Sequence, residues 1–251
     1  MDKLLTVIFA ALLGLCVGSF TNVLIYRLPR GEEFVKTPSH CMSCGHKLRW
    51  YENIPLLSFL LQGGKCRSCG VKLSAQYPLV EGLCGLMWVA CVLLFWPDWA
   101  TMALTCLLFP LLCAVAVIDW RTFEIPNGLC IAIAILGIIR LLLDREHWLL
   151  YIIGMFSVSL FFLILWLVTG GRGIGLGDVK LMGAAGLLLG WQRIILAMLV
   201  GCILGAVIHL IRMRRGAGKK LAFGPYLSAG IWLSALFGES IIRAYLGLMG
   251  L

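Results

Sequence analysis

The sequence predicts an all-α polytopic membrane protein with about eight transmembrane helices and a small cysteine-bearing loop domain. Of its 251 residues, 61% are hydrophobic and 13% charged, with a mean hydropathy of +0.98. A soluble domain carries about a quarter charged residues. The apolar residues gather into repeated runs of about 20, the length that crosses a hydrocarbon core of ~30 Å as a helix. These runs are continuous rather than alternating, which excludes a β-barrel, whose short strands alternate between lipid and lumen.

The first run, residues 4–25, follows Lys3 in the manner of a signal peptide. Arg27 and Arg30 behind it outweigh Lys3, and no small-residue cleavage site closes it, so it is expected to remain as a helix with its N-terminus outside. Residues 27–77 form the one substantial polar segment, eight Lys or Arg against Glu32, Glu33 and Glu52. Tyr77-Pro78 opens a second span to about residue 96, and Pro97-Asp98 turns it. A third span covers 100–118, and Ile125-Pro126-Asn127 introduces a fourth, to about 143. Residues 144–147 make a short exposed link to a fifth span over 149–168. A glycine-rich loop, 170–177, ends at Asp178. The run 181–211 is too long for one helix and divides at Trp191-Gln192-Arg193 into a short sixth span and a full seventh. After a basic loop at 212–220, Phe223-Gly224-Pro225 begins the eighth. The expected domains are a first helix (1–26), a loop domain (27–77) and a multi-helix membrane domain (78–251).

The formal net charge is +9. A nucleic-acid partner would account for such a balance, and so would cytoplasmic loops rich in Lys and Arg. The positions of the charges decide for the loops. With 27–77 inside, eight further basic residues (121, 172, 180, 212, 214, 215, 219 and 220) fall on the same side or its boundary, sixteen of the 21. The expected partner is therefore the lipid bilayer and not nucleic acid, and Asp119 and Asp178 both lie near the cytoplasmic face.

Cys41-Met42-Ser43-Cys44 and Cys66-Arg67-Ser68-Cys69 form two CxxC pairs, each followed by glycine (Gly45, Gly70), which relieves the backbone as it turns around a metal. Four thiolates at tetrahedral geometry suit a closed, structural Zn²⁺ site. The alternatives are chance spacing among eleven cysteines, or two disulfides, which fit a cytoplasmic loop poorly. The remaining cysteines (16, 84, 91, 106, 113, 130, 202) lie in apolar spans as small hydrophobes.

Asp119 closes the third span, and Asp178 follows the flexible Gly175-Leu176-Gly177. An acid at the edge of a hydrophobic span is costly to desolvate and points to function. Two acids at one face fit peptide hydrolysis, in which one carboxylate deprotonates water and one carboxylic acid protonates the carbonyl oxygen, the pair sharing a proton. Gly175 and Gly177 would let the backbone approach a substrate strand closely. Lys180 either tunes the local field or snorkels to the interface. A lone intramembrane acid more often serves an ion-coupled transporter, here with a zinc-regulated loop. Against that reading, the acids cluster at one face rather than along the midplane, and no inverted repeat is visible. A lipid-head-group transferase would need a clustered acidic metal-binding motif, which the sequence lacks.

With these residues in view, the chain resembles the type IV prepilin leader peptidases of bacteria, including those serving type II secretion. The matching stretches run in order along nearly the whole chain. They are Gly18-Ser19-Phe20 with Asn22-Val23 and Tyr26-Arg27-Leu28-Pro29, the two CxxC pairs, Asn53 to Ser58, and Tyr77 to Glu81. Ile118-Asp119 with Ile125-Pro126-Asn127, Gly175 to Lys180, and Phe223-Gly224-Pro225 complete the set. The resemblance implies an inner-membrane aspartic peptidase with Asp119 and Asp178 as its catalytic acids. It would cut a short basic leader from prepilins or pseudopilins after a glycine, on the cytoplasmic side. It also implies N-methylation of the new terminus, usually phenylalanine, with S-adenosylmethionine. After Ile-Pro the family often has Asp where this chain has Asn127, which leaves the two catalytic positions intact. Residues 27–77 hold no Rossmann-type glycine fingerprint, so the methyl-donor site is not located. Glu81, at the mouth of the second span, is either a polar residue near that site or an interfacial glutamate paired with a nearby base.

Overall fold

The architecture is described from a computed structural model covering residues 2–214 and 221–250. Among the described residues the secondary structure is helical apart from two isolated antiparallel bridges. The elements are α1 (Lys3–Arg27), α2 (Leu57–Leu61), α3 (Gln76–Phe95), α4 (Trp99–Thr122), α5 (Asn127–Leu143), α6 (Trp148–Thr169), α7 (Leu176–Leu189), α8 (Trp191–Arg214) and α9 (Gly224–Leu248). Among the described residues six stretches are long and apolar enough to cross a membrane: those built on α1, α3, α4, α6, α8 and α9. Two apolar helices are shorter, α5 with 17 residues and α7 with 14. Of the expected basic loop, residues 215–220 lie outside the described part of the chain.

The chain divides into two compact units, Met1–Pro110 and Leu111–Leu251. The boundary falls within α4 at Pro110, where the ring removes one backbone hydrogen bond of the helix. In the first unit α1 packs along α3 at very short range. A methyl group on Gly18 would lie 2.7 Å from the Cα of Glu81, and one on Gly14 would lie 2.9 Å from the Cα of Gly85. Only glycine permits this approach, and such small residues replace the hydrophobic effect as the means of joining helices in lipid. The outward residues of α1, among them Leu4, Leu5, Phe9 and Leu12, are exposed, as expected of a lipid-facing surface.

The second unit is built around α7. At ~1.5 Å per residue its 14 residues reach about 21 Å, too short to cross the hydrocarbon core, so the expected sixth span is instead an internal helix. Asp178 and every residue from Leu181 to Leu188 are buried, the pattern of a helix that is apolar all round because it is covered all round. Gly186 of α7 meets Gly154 of α6 so closely that a methyl group on either would strike the other's carbonyl oxygen. Leu187 likewise fills the notch at Gly137 of α5. This central position fixes the first turn of α7, which carries Asp178.

Candidate active site and metal centre

Asp119 and Asp178 line one cavity of about 310 Å³ in the second unit, together with Phe123, Ile125, Asn127, Gly175, Gly177 and Lys180. Both acids are buried, 5% and 8% exposed. Each is held by a backbone amide at a helix N-terminus. Asp178 is the third residue of α7, and its Oδ2 accepts from the N–H of Gly175, the N-cap, at 3.1 Å. This is the half of a capping box that remains when the cap has no side chain. Oδ2 of Asp119 accepts from the N–H of Gly224, the first residue of α9, at 2.8 Å. Helix N-termini favour negative charge, so the two amides both orient the carboxylates and offset part of their burial cost.

The glycines of Gly175-Leu176-Gly177 serve local ends. Gly175 is extended at φ −82°, ψ 148° and caps α7. At Gly177 a methyl group would lie 3.0 Å from the Cβ of Ile125, so this glycine lets the start of α7 rest against the Ile125-Pro126 turn. Lys180 donates to Oδ1 of Asn127 at 2.9 Å, tying α7 to the start of α5.

In the first unit the two CxxC pairs fold alike. The Cys41 N–H donates to the carbonyl of His46 at 2.9 Å and the Gly45 N–H to that of Cys41 at 2.9 Å. Cys66, Val71 and Gly70 repeat both bonds at 2.8 Å. Gly45 and Gly70 both adopt φ +71°, a conformation that side chains resist. Short antiparallel bridges, His40 with Lys47 and Lys65 with Lys72, close the two knuckles. All four sulfurs lie within 4.8 Å of one another, Cys41 and Cys66 buried, Cys44 and Cys69 exposed. The Cys41–Cys69 sulfur separation is 3.9 Å. A tetrahedron of Zn–S bonds of ~2.3 Å has an edge of about 3.8 Å, so the cluster fits a metal of that size. Burial opposes charge on Cys41, yet the backbone N–H groups of Ser43 and Cys44 and the neighbouring thiols outweigh it and bring its pKa down to about 7. Cys69 goes the other way, to about 11: the Val71 N–H favours its thiolate, but partial desolvation and three crowded sulfurs prevail. Four sulfurs this close together offer a metal ion a closed set of ligands.

Glu81 is buried and accepts from the Leu56 N–H at 2.8 Å; among the described residues it forms no ion pair. Asn22 is also buried, donating to the Tyr77 carbonyl at 3.2 Å and accepting from Gln76 at 3.2 Å, so it joins α1 to α3. Sequence reasoning passed over Gly224 as a partner of Asp119, since the two are 105 residues apart.

Two family models match the chain. The Bacterial Peptidase A24 N-terminal domain covers residues 12–95 and the Type IV leader peptidase family covers residues 106–210. The chain is similar to the Prepilin leader peptidase/N-methyltransferase of Stutzerimonas stutzeri, 35% identical over 276 aligned residues, covering 98% of this chain and 95% of the relative. The protein of the same description from Pseudomonas aeruginosa is 35% identical, covering 97% and 94%. That of Aeromonas hydrophila is 36% identical, covering 94% and 92%. No solved structure matches the chain.

Proposed function

Because the chain belongs to the type IV leader peptidase family, we propose that it is an inner-membrane aspartic endopeptidase that removes the short basic leader of type IV prepilins or pseudopilins after a glycine and N-methylates the new terminus with S-adenosylmethionine. The observation that carries this reading is the full-length likeness to prepilin leader peptidase/N-methyltransferases. The burial of two acids in one cavity supports it. An ion-coupled transporter has no such support, since the likeness to peptidases spans nearly the entire chain.

Asp119 and Asp178 act as one unit. Close acids in a desolvated cavity share a proton, because both cannot ionise together. The ionised member takes a proton from water as its oxygen attacks the scissile carbonyl, and the protonated member donates to the carbonyl oxygen. Collapse of the tetrahedral intermediate breaks the C–N bond, with a proton passing to the leaving amine. The backbone amides of Gly224 and Gly175 hold the two carboxylates in place for this exchange. Cleavage takes place at the cytoplasmic face, by the distribution of Lys and Arg.

Zn²⁺ is held by Cys41, Cys44, Cys66 and Cys69, a closed set of four ligands whose role is structural. It staples the 27–77 domain, which has little apolar core of its own. The test is mass measurement on a substrate with a basic leader and a Gly-Phe junction, with and without S-adenosylmethionine. Cleavage is expected in both conditions and terminal methylation only with the donor. An intact substrate would refute the reading.

A further inference from the structure

A second cavity, of about 320 Å³, is lined by α1, the start of α3 and the cysteine loop in the first unit. Its size falls within the range of small-molecule sites, about 300–1,000 Å³. The peptidase chemistry makes no use of it. Most of its charged lining is already committed to the fold. The Arg27 guanidinium donates to the backbone carbonyls of Glu33, Thr37 and Pro38 at 2.7–3.1 Å. Glu52 accepts from the Arg49 N–H at 2.8 Å and faces His46 at 3.2 Å.

Glu81 differs. It lines the cavity, is 7% exposed, and among the described residues no Lys, Arg or His pairs with it. A buried carboxylate without a counter-ion is costly, so a cationic ligand would relieve it. The carboxylate is also held firmly. The Leu56 N–H donates to Oε2 at 2.8 Å, and the Ser19 hydroxyl bonds it from α1. Leu56 presents that amide from a strained three-residue turn, at φ +59° and ψ −50°, closed by the Leu57 N–H on the Pro55 carbonyl at 2.6 Å. Such a turn is rare for a residue with a side chain and tends to occur where function requires it. A flat aromatic surface completes the wall: Tyr26 and Tyr77 stack with centroids 5.3 Å apart and planes 16° from parallel. Aromatic faces attract cations and stack on flat rings.

From these features we infer that this cavity is the binding site for S-adenosylmethionine, with Glu81 as counter-charge to the sulfonium. The inference rests on the methyl-transfer reading above and adds to it a site and a basis for selectivity. When bound, the sulfonium supplies a methyl carbon whose bonding pair remains on sulfur as a neutral thioether, while the acceptor amine forms the new N–C bond and releases its proton to water. The product thus lacks the charge that Glu81 complements. Glu81 therefore favours the donor over S-adenosylhomocysteine and aids release of the spent cofactor.

The test is equilibrium dialysis of radiolabelled donor and product against the full-length, zinc-loaded protein in detergent. Glu81→Gln keeps an oxygen for the Leu56 amide and removes the charge. It is expected to weaken the donor about tenfold or more, the cost of losing a charged partner, and the neutral-sulfur product by less than about twofold. Ser58→Trp, which fills the cavity from α2, is expected to prevent both from binding while leader cleavage continues. Donor and product binding at wild-type strength in both variants would overturn the assignment. Photolabelling of the wild-type chain with an azido derivative of the donor gives a measurement that needs no variant to fold. Label in the peptides around 19–30, 52–62 and 73–81 supports the site, and label confined to 111–251 overturns it. A wild-type chain that methylates but carries its label elsewhere refutes only the cavity. A wild-type chain that cleaves its substrate but neither binds donor nor methylates refutes the methyl-transfer reading itself, and the cavity assignment with it.

Discussion

Gly224→Ala tests whether the backbone amide at the start of α9 positions Asp119. A Cβ at this position would lie 2.8 Å from Oδ2 of Asp119 and 3.0 Å from its Cβ and Cγ. Ordinary contacts between heavy atoms fall near 3.5–4.0 Å, so the carboxylate must withdraw by about 0.5–1 Å. That movement lengthens or breaks its 2.8 Å bond to the Gly224 N–H. A hydrogen bond to a charged group contributes about 1.5–3 kcal/mol, and a misplacement of ~1 Å in a catalytic array costs about 10²-fold in rate. At 1.36 kcal/mol per factor of ten, the two estimates agree on a loss of about 10–10² in kcat/KM for leader cleavage. Alanine suits a helix better than glycine, which offsets part of the crowding, so membrane abundance should change little. Methylation of an already cleaved substrate should continue. Gly247→Ala, in the same helix with nothing within 4 Å of the added methyl, serves as the control and should cleave normally. Cleavage by Gly224→Ala within about twofold of wild type would refute the positioning role, because a displacement this size cannot be silent in a two-carboxylate mechanism.

Asp119→Asn and Asp178→Asn should each abolish cleavage at unchanged abundance, and the double variant should be no worse than either single one, because the acids act as a unit. Retained cleavage in either, scored by the mobility shift of the substrate, would exclude the aspartic mechanism. Metal analysis should find a single Zn²⁺ per chain, lost in Cys44→Ser or Cys69→Ser together with protease resistance of residues 27–77. A zinc-free wild-type protein with full activity would contradict the structural role. Single-cysteine labelling on a cysteine-free background should place residues 27–77 inside and 97–99 and 144–147 outside. Labelling of the cysteine loop from outside would reverse the orientation and with it the face of cleavage.

Much of this protein was legible in one dimension. Runs of about 20 apolar residues imply helices whatever their neighbours, because a backbone in lipid must satisfy its own hydrogen bonds. The CxxC knuckles were equally local: spacing and the glycine after each pair led directly to the paired turns at φ +71°. The GxxxG spacing of Gly14 and Gly18 was a legible signal of the α1–α3 contact that the motif reading did not use. Asp119 and Asp178 stood out by their cost, as acids at the margins of apolar runs.

The tertiary structure decided what these pieces do to one another. Hydropathy could not tell that α7 is enclosed by protein whereas the outward faces of α1 and α6 carry exposed apolar side chains. In a soluble chain, the alternation of polar and apolar faces marks the inside. In a bilayer the solvent is as apolar as the core, so that contrast disappears and close packing of small residues takes over. The decisive polar contacts were hidden for a related reason. The amide that orients Asp119 comes from Gly224, and the one that orients Glu81 comes from Leu56. Backbone N–H groups are the same at every residue, so only the fold determines which of them meets a buried carboxylate.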